Sequence, residues 1–231
     1  MHHFDVHSDQ KDVLYEHIVA YAPPLQFRSI LDIGAGNGVL ARRLRDTYSE
    51  YLAIEEKDVF VKQLQEHSIP VLHARFPIEL SSMYDMILCS HSFPESIEEY
   101  TPFIETAWKG VAAGGTLLAI SFKGSDGLEK KLRDTYIGVS ETSDDEMFQE
   151  LIRLLQARSM IEVSRFQSLW FSDSLEDLAL FASKTIGGSE EQKRKYLPDL
   201  THTIESIRSQ YPSSHRYVFP AQHVTVLARK A

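Results

Sequence analysis

Two hydrophobic rhythms alternate along the first half of the chain. Short apolar runs recur at Ser29-Ile30-Leu31-Asp32-Ile33, Tyr51-Leu52-Ala53-Ile54-Glu55, Pro70-Val71-Leu72-His73-Ala74 and Tyr84-Asp85-Met86-Ile87-Leu88-Cys89. Each is too short for a helix and too apolar for a loop, so each reads as a buried strand. A fifth such run covers residues 113–121. Between them, residues 39–44, 59–66 and 101–111 carry apolar side chains at helical spacing, the last with Phe103, Ile104, Ala107 and Trp108. Strands alternating with helices predict a parallel sheet covered by helices.

The flanks are less regular. Ahead of the first strand, Ser8 or Asp9 can cap a helix whose apolar positions are Val13, Leu14, Ile18 and Val19, and Pro23-Pro24 ends it. After the fifth strand come helices over 128–136 and 147–156, then an alternating strand over 161–167. Further helices cover 175–186 and 190–209, and a last strand covers 224–228. No repeat, low-complexity segment or linker interrupts the chain, so residues 1–231 read as a single domain. Within it, 1–24 form an N-terminal cap helix, 25–124 a cofactor-binding half, and 125–231 a C-terminal half with a helical insertion at about 174–210.

The name of the middle segment comes from Ile30-Leu31-Asp32-Ile33-Gly34-Ala35-Gly36-Asn37-Gly38-Val39-Leu40. Glycines at alternate positions let a strand turn sharply and bring backbone against a ligand. The helix that follows points free N–H groups and the positive end of its dipole at the same place. The spacing is not the dinucleotide fingerprint G-x-G-x-x-G, because Val39 stands where its third glycine belongs. Asp32, two positions before the first glycine, suits a cationic group better than a pyrophosphate. About twenty residues on, the second strand ends in Glu55, where a carboxylate accepts the hydroxyls of an adenosine ribose in Rossmann-type sheets. A solvated acidic loop is the alternative, since Glu56 and Asp58 follow.

Asp32 and the three glycines resemble the first motif, E/D-x-G-x-G-x-G, of the class I S-adenosylmethionine-dependent methyltransferases. The resemblance covers roughly residues 28–122 and extends to the Tyr84-Asp85 opening of the fourth strand. It extends also to the turn Ala113-Gly114-Gly115-Thr116-Leu117, where alanine replaces the family's proline. It implies a Rossmann-like three-layer α/β sandwich on a seven-stranded, mostly parallel sheet with its last strand antiparallel. It also implies S-adenosylmethionine as cofactor and S-adenosylhomocysteine as product. Gly34, Ala35, Gly36 and Gly38 would approach the amino-acid end of the cofactor, with Asp32 organising the site. Glu55 and Glu56 would meet the ribose, Ala74, Arg75 and Phe76 the adenine, and Ser90, His91 and Ser92 the methyl end. The N-terminal helix and the insertion would form a substrate lid, with Phe4, His7 and Tyr15 facing the substrate. A looser likeness in the order of the pieces points to the histamine N-methyltransferase branch. Leu128 and Leu132 stand where that branch places aromatics, so no substrate is carried over from it.

Methyl transfer is an in-line displacement, so such a site needs alignment, exclusion of water and a proton acceptor. His91, just past the fourth strand, has the right chemistry, because imidazole titrates near neutral pH. No His/Cys/Asp cluster suggests a metal. The net charge of −9 over 231 residues argues against a nucleic-acid partner, and the short basic clusters read as solvated helix faces. A small-molecule methyl acceptor is expected, in a monomer or homodimer. The lone Cys89 excludes a disulfide framework, and no apolar run reaches membrane-spanning length. With no secretory pattern at the start, a cytoplasmic protein is expected. Two alternatives remain at this stage: an NAD-dependent oxidoreductase, and a non-catalytic S-adenosylmethionine-binding protein.

Overall fold

Seven strands form one sheet in the order β3-β2-β1-β4-β5-β7-β6. They are Ser29–Ile33 (β1), Glu50–Glu55 (β2), Val71–His73 (β3), Tyr84–Ser90 (β4), Val111–Ser121 (β5), Ile161–Ser172 (β6) and Tyr217–Arg229 (β7). The computed structural model describes residues 8–94, 96–122, 131, 135–136, 144–186, 188–211 and 214–231. Strands β1 to β5 pair in parallel, and β7 runs antiparallel to β5, with Ser121 opposite Val224 and Thr116 opposite Arg229. This is the mostly parallel α/β sheet expected from the alternating pattern.

The helices are Gln10–Tyr21 (α1), Val39–Thr47 (α2), Asp58–Glu66 (α3), Ile97–Gly110 (α4), Asp144–Gln156 (α5), Leu175–Ile186 (α6) and Glu190–Ile207 (α7). The expected helix over 128–136 lies largely outside the described residues. Helix α4 begins earlier than its apolar spacing suggests, because the Ser96 hydroxyl caps it by accepting the Glu99 N–H at 3.4 Å. Glu98 and Glu99 then complement the positive end of its dipole. Pro102 sits inside this helix, past the first turn where proline is ordinarily placed. At the other end, the Lys230 ammonium donates to the carbonyls of Trp108 at 3.2 Å and Val111 at 2.7 Å.

The chain packs as two compact units. The larger comprises residues 14–124, 144–164 and 224–231. Because side chains alternate across a strand, Ile87 and Cys89 face one layer and Met86 and Leu88 the other. All four are buried. The first layer joins Leu31, Leu117 and Val226 to Phe103, Ile104 and Ala107 of α4 and to Leu151 and Leu155 of α5. The smaller unit comprises the described residues among 1–13, 125–143 and 165–223. Its core centres on the fully buried Trp170, stacked on Phe219 with centroids 5.3 Å apart and meeting Phe181 edge-on. Tyr196 of α7 is buried beside α6 and donates its hydroxyl to the Ser183 carbonyl at 2.9 Å.

Candidate active site

Because β1 to β4 are parallel, their carboxyl ends lie along one edge, and the connections leaving them form the site. At the end of β1 the chain turns on Gly34, Gly36 and Gly38, whose φ angles of +75°, +61° and +80° are left-handed. The Gly34 N–H donates to the Ile54 carbonyl at 2.7 Å, extending the pairing of β1 with β2 by one residue. A Cβ on Gly34 would lie 2.4 Å from the Cβ of Ser92, so glycine lets the turn meet the loop leaving β4. At Gly36 a Cβ would meet nothing within 4 Å. The backbone there faces open space.

Glu55 closes β2 and is 5% exposed. Its Oε2 accepts the Gly36 N–H and its Oε1 the Lys57 N–H, both at 2.9 Å. One carboxylate thus ties the glycine turn to the next loop. Each of its oxygens keeps a second acceptor position.

Asp32 lies buried beneath the turn. It is 3% exposed and accepts the Tyr51 hydroxyl at 2.6 Å, joining β1 to β2 beneath the turn. Burial, and then the Asp32 charge, push the Tyr51 phenol well above its ordinary range. The same two causes, in the same order, push the Cys89 thiol up, so this cysteine is an inert core residue.

Around the turn opens a cavity of 850 Å³. Gly34, Gly36, Glu55, Glu56 and Lys57 give it a polar side. Ile54, Phe60, Ala74, Phe76, Phe93 and Phe103 give it an apolar one. Phe76 meets Phe103 edge-on at 5.0 Å, and Phe93 stacks on Tyr100 at 5.6 Å, so the aromatic wall is anchored on α4. Arg75 donates to Glu99 at 2.7 Å and lies 3.9 Å from Glu56, linking the loop after β3 to the first turn of α4. These groups are exposed, and solvent screens the attraction.

His91 lines the cavity from the loop after β4. Its φ of +57° is left-handed, which is uncommon for a residue with a Cβ. Its N–H donates to the Ile120 carbonyl at 2.8 Å, and its ring stacks on Phe122. Beside it, the Ser92 hydroxyl oxygen is buried without a hydrogen-bond partner among the described residues.

Among the residues singled out by the sequence, the structure brings Gly34, Gly36, Glu55, Glu56, Ala74, Arg75, Phe76, His91 and Ser92 together on the cavity wall. Asp32, Ala35, Gly38 and Ser90 do not line it. Gly38 instead caps α2 and packs towards Leu64. Phe4 and His7 lie outside the described residues. Tyr15 bonds the Thr47 hydroxyl at 2.8 Å and lies under the Arg43 guanidinium, which is 3.9 Å from its ring centroid. It belongs to the packing of α1 on α2 and takes no part in the cavity wall. Sequence reasoning missed Lys57, Phe60, Phe93, Glu99 and Phe103, which also line the cavity. Only Phe93 and Lys57 carried a signal, through their adjacency to the Ser90–Ser92 loop and to Glu55.

The fold is shared with solved structures, methyltransferases among them. The chain is similar to the YcgJ protein of Bacillus subtilis, with 14% identity over 95% of this chain and 98% of that one, and a TM-score of 0.62. It is similar to a SAM-dependent methyltransferase of Archaeoglobus fulgidus, with 16% identity over 95% and 94% of the two chains and a TM-score of 0.56. The N-methyltransferase NodS of Bradyrhizobium japonicum, in complex with S-adenosyl-L-homocysteine, is 11% identical over 96% of this chain and 86% of its own, with a TM-score of 0.54. At these identities the likeness is one of fold, the Rossmann-like α/β sandwich expected from the sequence. No family model and no curated protein matches the chain.

Proposed function

We propose that this chain is an S-adenosylmethionine-dependent methyltransferase acting on a small molecule. The observation that carries the reading is Glu55. It is a buried carboxylate at the end of β2, tied by backbone N–H groups to the glycine turn, with an acceptor position left on each oxygen. That arrangement suits two vicinal ribose hydroxyls. Two further features fit the same group. Gly36 presents backbone to open space, and the buried Ser92 hydroxyl has no partner among the described residues. The names of the solved neighbours, among them NodS with its S-adenosyl-L-homocysteine, support the same cofactor.

On this reading Glu55 holds the ribose, residues 34–36 and Ser92 receive the amino-acid end, and Phe76 and Phe103 cover the adenine. When bound, S-adenosylmethionine supplies an electrophilic methyl carbon whose bond to sulfur breaks as the acceptor's lone pair bonds to it. The chain's own residues supply alignment and a dry wall. His91 accepts the proton that an amine or hydroxyl acceptor loses. Asp32 acts beneath the turn, holding β1 against β2 through Tyr51.

Ligand binding to the native state raises the melting temperature by mass action. S-adenosylhomocysteine is therefore expected to raise it and NAD to leave it unchanged. A shift with NAD alone would replace the methyltransferase reading with an oxidoreductase one. Methyl transfer from labelled S-adenosylmethionine to a panel of small amines, phenols and acids separates an enzyme from a non-catalytic binder.

A further inference from the structure

Phe122 does not line the cavity, yet its ring lies against the imidazole of His91, with centroids 4.2 Å apart and planes 26° from parallel. The two residues leave neighbouring strands. β4 ends at Ser90 opposite Ile120 of β5, the His91 N–H bonds the Ile120 carbonyl at 2.8 Å, and Phe122 follows the last residue of β5. This backbone frame fixes where the imidazole starts. It does not fix the plane of the ring, because the torsion joining a ring to its Cβ has a broad, two-fold profile. A phenyl ring stacked on the imidazole restrains that plane, since aromatic pairs settle in a small set of orientations, offset-stacked or edge-to-face.

We propose that Phe122 is a positioning residue for the transfer reaction, holding the plane of the His91 imidazole at the cavity wall. The inference rests on the reading of His91 as proton acceptor. A proton is passed efficiently only along an aligned hydrogen bond, so an imidazole whose plane is held is the better acceptor. The left-handed backbone at His91 points the same way. Such conformations persist where surrounding contacts over-determine them, and here the Ile120 carbonyl and the Phe122 ring hold the residue from two sides.

The test compares the full-length chain with Phe122→Tyr and Phe122→Leu, with and without S-adenosylhomocysteine. The readouts are the His91 imidazole C–H resonances in NMR, assigned by their loss in His91→Gln, and calorimetric affinity. In the wild type and Phe122→Tyr, the stacked ring displaces these resonances upfield and the ligand moves them further. In Phe122→Leu the upfield displacement disappears, and the ligand-induced movement falls by roughly half or more while the ligand still binds. A leucine variant that loses the displacement but whose resonances respond to ligand as the wild type's do overturns the proposal, because the wild-type ring is then present without positioning the imidazole. If S-adenosylhomocysteine fails to bind even the wild type, the methyltransferase reading itself falls. The ligand-free comparison of the three chains still reports on the stack in that event.

Discussion

Gly34 and Ser92 approach so closely that a Cβ on the glycine would lie 2.4 Å from the Cβ of the serine. The contact joins the turn after β1 to the loop after β4, the two segments that carry the proposed cofactor and proton-acceptor roles. At Gly36, two residues on, a Cβ would meet open space instead. The two positions separate stability from binding. Both are left-handed, which costs an alanine about 1–2 kcal/mol, and only Gly34 adds a steric overlap. Gly34→Ala is expected to lose at least about 2 kcal/mol, or about 4–8 °C in melting temperature. Gly36→Ala loses less stability but puts a methyl group where ligand belongs, so its affinity for S-adenosylhomocysteine falls. Ser92→Gly in the Gly34→Ala background restores part of the lost stability. If Gly34→Ala melts no lower than Gly36→Ala, the close approach is not what holds the two loops.

Glu55 offers a sharper test through its glutamine variant. Both carboxylate oxygens accept backbone N–H groups, from Gly36 and Lys57. An amide at this position has one acceptor and one donor group, so one of those N–H groups faces another donor. A buried donor left without a partner costs about 1–3 kcal/mol. Glu55→Gln is thus expected to be as damaging to stability as Glu55→Ala, although it is nearly isosteric. Both lose charge-assisted hydrogen bonds of about 1.5–3 kcal/mol each to the ribose, so calorimetric affinity for S-adenosylhomocysteine drops at least about tenfold. Wild-type affinity in either variant would move the ribose contact to another group.

How much of this was legible in the sequence follows from which contacts are local. The glycine turn and Glu55 were readable because a strand, a turn and a helix sit at fixed spacings along the chain. The aromatic wall was not, since Phe103 and Glu99 reach the cavity only through the packing of α4, which no local pattern encodes. The contacts of Tyr15 with Thr47 and Arg43 are hidden for a related reason: helical spacing tells that α1 buries a face, not which element receives it. The last strand was underestimated. Residues 224–228 are apolar apart from Thr225, whereas Pro220 earlier in β7 lacks an N–H and masks the start of the strand at Tyr217. The Tyr51 hydroxyl on Asp32 is not legible in the sequence, because the pair meets only through the register of β1 against β2.

His17 on α1 makes stability depend on pH in a predictable direction. It is half-buried, shares a 2.8 Å hydrogen bond with the Thr225 hydroxyl and meets Tyr21 edge-on. Burial pushes its pKa below the ordinary 6.5. As pH falls through that value the unfolded chain takes up a proton that the folded chain resists. The unfolded state then binds more protons, so folding stability declines. Between about pH 7.5 and about pH 5.5 the urea midpoint should fall less steeply in His17→Gln than in the wild type. Equal slopes in the two proteins would assign the acid sensitivity to other groups.

The left-handed backbone of His91 makes the last prediction. Asparagine tolerates φ near +57° far better than alanine, which pays about 1–2 kcal/mol there. Both substitutions remove the ring that stacks on Phe122, so that loss cancels when the two variants are compared with each other. His91→Asn is therefore expected to melt about 2–8 °C higher than His91→Ala, with the difference reporting backbone conformation alone. Neither variant retains a group that titrates near neutral pH, so both are expected to be poor in methyl transfer despite their different stabilities. Scanning calorimetry beside a labelled-methyl assay reads the two effects separately. An alanine variant as stable as the asparagine one would mean that the loop after β4 relaxes out of the left-handed conformation. An asparagine variant with full activity would remove His91 as the proton acceptor.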